Sequence, residues 1–387
     1  MVSMSKTPIR DFASLYRTKN TSATYAGAVR RFMDFVYDFH IKGYSSTDKE
    51  LAEYEVMAVR YLRDTNRSCA LDLLHFVQWE SENGVVPCTA RARIVGIQQW
   101  FLENDIILTE KDKMRLHRIA PRGGRRTNLK YLDCSILREI IAVSELRIRA
   151  FVLIAACTGM RIGEVLALRW SQVAVPDRTK PGNTDKLTEI FIPDSKNQSS
   201  RRVWITREAE DTLLAWKDQT PDYLQKVMVN ARNLGITCDT LSGRVFPFTC
   251  CSVYVSWNAA LARLGRYSVD DSTHRVQLNV HRLRGFFKMQ VLPVVGSEMS
   301  ELMMGHCDAY GHAYNGLPDN QMEKLFQKCE SALTVAPAYG VTRDNAIQNA
   351  EMQRMKAELD ELRGLFALLR QGGGIPSLPS SAYQQDR

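Results

Sequence analysis

The stretch GHCDAYGHAYNG, residues 305–316, holds two histidines six residues apart and two tyrosines four apart. It could be a metal loop, a polar turn or the site of one reactive tyrosine. A metal loop fails on spacing, because Cys307 and Asp308 sit too close to His306 to share an ion with it, so no metal is expected. A tyrosine nucleophile would need help, since an unperturbed phenol titrates near about 10. Neighbouring Arg and His⁺ charges favour the phenolate and lower that barrier. Three other segments hold cations in unusual company. ACTGMRIGEVLALRW (156–170) carries Arg161 with Glu164 one helical turn on; Lys196 stands five residues before Arg201; and VHRLRGFF (280–287) carries His281 and Arg284, three apart and so on one helical face. Singly these are ordinary features, a surface ion pair or a solvated turn lysine.

The elements that must position these residues follow from periodicity. From Thr21, TSATYAGAVRRFMDFVYDF reads as an amphipathic helix with Tyr25, Val29, Phe32 and Val36 on one stripe, capped by Thr21 or Ser22. Three more helical segments follow, and no alternating strand precedes residue 110, so residues 18–112 read as a small all-helical domain behind a polar arm, 1–17. Pro121, Gly123 and Gly124 interrupt the next stretch, 113–131, which reads as a linker. Over 111–131, Lys111, Lys113, Arg115, Arg118, Arg122, Arg125, Arg126 and Lys130 cluster against Asp112, a charge density suited to a phosphate backbone. Residues 132–340 read as a mixed, mostly helical domain. Within it, TEIFIP (188–193) and RVWIT (202–206) are expected to pair as a hairpin around DSKNQSS, with Lys196 at its tip and a loop extension at 177–186 before it. Lys186, ahead of the first strand, is the weaker candidate for the lysine role. Met352, Met355, Leu359, Leu362, Phe366 and Leu369 alternate at three and four, a coiled-coil seam within 343–371. That seam favours self-association over packing in cis. Residues 372–387 have the composition of a disordered tail. The expected fold class is therefore mainly α with a small antiparallel sheet.

Composition sets the outer limits. The 387 residues carry a net charge of +8, which fits a polyanionic partner without requiring one. Nine scattered cysteines lack the spacing of a disulfide framework or a zinc site and read as reduced thiols. No apolar run reaches transmembrane length and the first residues have no signal-like core. An intracellular location is expected, cytoplasmic with the nucleoid or nuclear in a eukaryote.

Taken together, the four segments resemble the tyrosine recombinase (integrase) family. TGMRIGEVLALRW looks like that family's first box, HRLRG like the H-x-x-R of its second, and LMMGH like the leucine-rich helix ending in Gly-His, with a tyrosine soon after. The resemblance covers roughly 132–335 and extends more loosely to the helical first domain, which looks like a core-binding domain. It implies that Arg161, Lys196, His281, Arg284 and His306 surround a scissile phosphate, with Glu164 orienting Arg161. Two guanidinium forks suit the charge that builds on the non-bridging oxygens. Lys196 would protonate the departing 5′-oxygen, and His281 would position the phosphate or accept the nucleophile's proton. The family's tyrosine commonly lies nine residues after the Gly-His histidine, where this chain has Asn315. Tyr314 at eight needs a one-residue contraction, as in the archaeal variant, whereas Tyr310 at four leaves too little chain. Tyr310 and His312 then read as bystanders.

The implied activity is a DNA strand transferase, free of metal and ATP, acting through a 3′-phosphotyrosyl intermediate. It would serve integration or excision of a mobile element, or replicon resolution. The expected partners are double-stranded DNA bearing a specific site and further copies of the chain, four on two duplexes. Alternatives are a type IB topoisomerase and a DNA-binding protein that no longer cuts.

Overall fold

The computed structural model describes residues 7–39, 47–123, 128–193, 200–233, 241–271, 273–305 and 318–336, the last four of 200–233 by backbone only. Lys196, His306, Tyr310, His312, Tyr314, Arg125, Arg126, the coiled-coil seam of 343–371 and the tail lie outside the described residues. Among those described, the fold is mainly helical with one three-stranded antiparallel sheet, in the fold class expected. The chain forms two compact units, Met1–Asn128 with Val269–Arg275, and Leu129–Ser268 with Val276–Arg387.

The first unit is all helical among the described residues: α1 (Ile9–Ser14), α2 (Lys19–Tyr37), α3 (Asp48–Arg63), α4 (Cys69–Glu82), α5 (Pro87–Glu103) and α6 (Glu110–Ile119). Residues 9–14 belong to the expected polar arm yet form α1, because Ile9 and Phe12 bury completely. Thr18, rather than Thr21 or Ser22, caps α2; its hydroxyl accepts from the Thr21 amide at 3.3 Å. The core gathers around Phe32, whose ring meets Tyr61, Phe76 and Phe101 edge-on at 5.3, 5.5 and 5.8 Å between centroids. Glu80, 1% exposed, is held between Arg31 at 3.3 Å and Arg93 at 2.5 Å. α6 starts on a reciprocal cap between Thr109 and Asp112 and is pinned by buried Leu116. Lys111, Lys113, Arg115 and Arg118 therefore ride on a helix, which runs into the stretch expected as a linker; Arg122 follows it, past Pro121. Residues 269–275 join this unit as Asp270 accepts from the Asn128 amide at 2.9 Å and the Thr273 amide at 2.8 Å.

The second unit is built on α8 (Leu146–Thr158), buried on all sides from Ala150 to its end. Around it stand α7 (Cys134–Ala142), α9 (Ile162–Ala167), α10 (Arg207–Asn233), α11 (Cys250–Arg263), α12 (Arg282–Met303) and α13 (Asp319–Leu333). The sheet orders β1 (Val173–Ala174), β2 (Glu189–Ile192) and β3 (Arg201–Trp204), with Ile190 opposite Val203 and Ile192 opposite Arg201. The expected hairpin is thus present, and two-residue β1 is an addition too short to show a period. Trp216 and Trp257 bury their rings and donate to the carbonyls of Val245 and Leu278, each at 2.8 Å.

Buried acids tie the periphery of this unit. Glu210, 1% exposed, takes a two-point ion pair from Arg178 at 2.5 and 2.6 Å and the Thr188 hydroxyl at 2.7 Å, anchoring the 177–186 extension to α10. Glu208 accepts the amides of Val335 and Ala336 at 2.7 and 3.0 Å, while Arg138 donates twice to the Val335 carbonyl at 3.0 and 2.8 Å. No helix among the described residues is long and apolar enough to cross a membrane.

Candidate active site

The site begins where α8 ends. Thr158 returns its hydroxyl to the Ile154 carbonyl at 2.6 Å, and Gly159 takes a left-handed φ of 61° that closes the helix. A side chain there would also collide, since a methyl at Gly159 would lie 2.5 Å from Phe287 Cδ1. The turn delivers Arg161 to the N-cap of α9. Glu164, three residues on, accepts the Arg161 amide at 3.0 Å through Oε2 and its guanidinium at 2.9 Å through Oε1.

α12 contributes the second arginine. His281 is its N-cap residue and exposed, and Arg284 sits in its first turn, 7% exposed. The Arg284 guanidinium donates to the Gly159 carbonyl at 2.5 Å and the Met304 carbonyl at 2.9 Å. It thereby joins the end of α8 to the end of α12, which bends at Gly296 (φ 82°) shortly after Pro293. Burial, and then the positive charges of Arg161 and Arg201, push Arg284 down to about 10, while Glu164 opposes the change. It stays a cation at neutral pH, in surroundings that penalise the charge.

The third cation was singled out in the sequence only as a neighbour of Lys196. Arg201, first residue of β3, donates to Glu164 Oε2 at 2.7 Å. Glu164 therefore lies between Arg161 and Arg201. Burial alone would raise its carboxyl; the hydrogen bonds from Arg201, from the Arg161 amide and from the Arg161 guanidinium, with the charge of Arg201, hold it below the usual carboxylate range. Strand alternation was the available signal: Arg202, next along, points to the surface, where it pairs with Glu189 at 2.9 Å and Asp319 at 3.3 Å.

Arg161, Glu164, Arg284 and Arg201, drawn from α9, α12 and β3, thus form one electropositive corner with exposed His281 at the start of α12. Lys196, His306 and Tyr314 lie outside the described residues, and Lys186 lies on the exposed extension. A cavity of about 120 Å³ adjoins the corner, lined by Thr158, Arg201, Trp204, Phe287, Met303 and Phe326. Among the described residues no three His, Cys, Asp or Glu side chains converge as metal ligands. What the corner can do is bind and polarise an anion with planar, multidentate donors.

No protein-family model matches the sequence, and no curated protein matches it. Solved structures similar to the chain are recombinases and integrases. XerH site-specific recombinase, bound to a palindromic difH substrate after cleavage, shares 13% identity over 84% of this chain and 97% of its own, with a TM-score of 0.46. A lambda integrase tetramer bound to a Holliday junction shares 15% identity over 73% of this chain and 77% of its own, TM-score 0.46. XerA recombinase shares 16% over 79% of this chain and 98% of its own, TM-score 0.34.

Proposed function

We propose that the chain is a site-specific DNA recombinase that cuts and rejoins strands through a tyrosine. The observation that carries this reading is the meeting of Arg161 and Arg284, from boxes far apart in sequence, around one corner with Glu164 bonded to Arg161. Paired guanidiniums suit a phosphodiester whose non-bridging oxygens gain charge during attack.

In this reading the Tyr314 oxygen attacks the phosphorus while Arg161 and Arg284 hold the non-bridging oxygens and His306 adds one hydrogen bond. His281 positions the phosphate or takes the phenol proton, and Lys196 hands a proton to the departing 5′-oxygen. A 3′-phosphotyrosyl bond forms as the bond to the 5′-oxygen breaks. The 5′-hydroxyl of another strand reverses the step, so bond energy is conserved and neither ATP nor metal is consumed. Double-stranded DNA with a specific site is the substrate, bound along the cations of α6 and the segment after it. Four copies act on two duplexes.

The test is a nicked duplex that loses its 5′-hydroxyl fragment on cleavage and so traps the protein. A covalent protein–DNA band on a denaturing gel, formed in EDTA, is expected. No band with wild-type protein on any candidate site would leave only DNA binding. Relaxation of supercoils with no sequence preference would point to a type IB topoisomerase.

A further inference from the structure

Arg201 has no role in the chemistry just described, yet it is built into the same corner. Its side chain is 11% exposed, and Nη2 is committed to Glu164 Oε2 at 2.7 Å. Nε and Nη1 are buried with no hydrogen-bond partner among the described residues. The guanidinium lies directly against Gly305, where a methyl would fall 2.7 Å from Nη1 and 2.8 Å from Cζ. Gly305 also has a left-handed φ of 74°, so two independent demands fix glycine beside the arginine. An arginine kept only for stability would not be expected to bury two unsatisfied donors, which carry a desolvation cost. Nor would it place a third positive charge near Arg161 and Arg284, where Glu164 and Glu301 are the opposing carboxylates. Its accessible chemistry is spent on Glu164, and the atoms left over are closed to solvent, so a phosphate cannot reach them.

We infer that Arg201 is a positioning residue for strand cleavage: by gripping one oxygen of Glu164 it fixes the other on Arg161, and so sets the aim of the Arg161 guanidinium at the phosphate. This rests on the recombinase reading above. Glu164 is faced by Arg161 from its own helix, by Arg201 from β3 and by the charge of Arg284 from α12. Removing Arg201 leaves its burial less opposed, so the carboxyl takes up a proton at higher pH.

The test uses the full chain and the nicked duplex, with adduct rate, DNA affinity and thermal melting measured for Arg201→Gln, Arg201→Lys, Glu164→Ala and the Arg201→Gln/Glu164→Ala double variant. Arg201→Gln is expected to slow adduct formation on the order of tenfold with DNA affinity nearly unchanged. The acid limb of its rate profile should move to higher pH, and Arg201→Lys, which keeps a charged donor, should move it back. In the Glu164→Ala background the Arg201 change should add nothing, as expected for two residues acting as one unit. Multiplying losses, an unmoved acid limb or no recovery in Arg201→Lys would each overturn the assignment. If Arg201→Gln fails to melt cooperatively, Arg201→Lys decides: a rate and acid limb near wild type, against a clear loss in Glu164→Ala, upholds the assignment, and a loss as large as that of Glu164→Ala overturns it. Absence of any wild-type adduct would instead remove the recombinase reading beneath it.

Discussion

Arg284 and Gly159 stand 125 positions apart, and the guanidinium of the first donates to the carbonyl of the second. The same guanidinium reaches the Met304 carbonyl, so one planar group sets the distance between the two chain turns of the corner. A lysine cannot span both carbonyls in a plane. Arg284→Lys is expected to lower the adduct rate by about 10²–10³. It should also cost about 1–3 kcal/mol in urea unfolding, because buried carbonyls lose their donors. DNA affinity by gel shift should change little.

Gly159 is constrained twice, by its φ of 61° and by Phe287. Gly159→Ala is expected to destabilise by roughly 2–4 kcal/mol, summing left-handed strain and overpacking. The urea midpoint should fall at unchanged slope. A variant as stable as wild type would show that the turn tolerates another conformation.

Tyr314→Phe should abolish the covalent adduct, whereas Tyr310→Phe should retain it. The reverse outcome would transfer the nucleophile to Tyr310 and with it the reading of the 305–316 repeat.

Glu210 offers a pH prediction away from the chemistry. Burial alone would raise its carboxyl, but the Arg178 and Thr188 hydrogen bonds hold it below the ordinary value. A folded pKa below the unfolded one, about 4.3, means a stabilising contribution complete above that pH and lost as pH falls through the folded value. Arg178→Met should cost roughly 3 kcal/mol at pH 7, by stranding a buried charge. The stability gap between wild type and Glu210→Gln should hold from pH 7 to about 5 and then narrow on acidification. A gap that widened instead would contradict the pairing.

Binding along α6 and its continuation predicts a steep salt dependence. Each phosphate contact removed should flatten the slope of log K against log salt by about 0.9. Replacing Arg118 and Arg122 with alanine should therefore reduce it by up to about 1.8. Cleavage once bound should be unaffected. Lys113 and Arg115 already face Glu110 at 2.6 Å and Asp112 at 3.8 Å, so their removal should matter less.

The parts of the site that were legible in the sequence are those set by local spacing. Arg161 with Glu164, and His281 with Arg284, are each three residues apart on a helical start, and Thr158-Gly159 announces the turn before the first pair. Arg201 was not legible, because its bond to Glu164 spans 37 positions and depends on how the hairpin lies against α9. The burial of Glu80, Glu208 and Glu210 was equally hidden: a glutamate's partner is chosen by packing, not by spacing. At the start of α2, Thr18 shows the limit of reading caps, since Thr18, Thr21 and Ser22 all offer hydroxyls within five positions.

The grip on Val335 has a mechanical side. Its carbonyl is held by Arg138 of α7, and its amide by Glu208 of α10, so the strain of any pull on the following chain is shared between two helices rather than unwinding α13. A heterologous segment grafted after Ala336 should inherit a rigid point of departure.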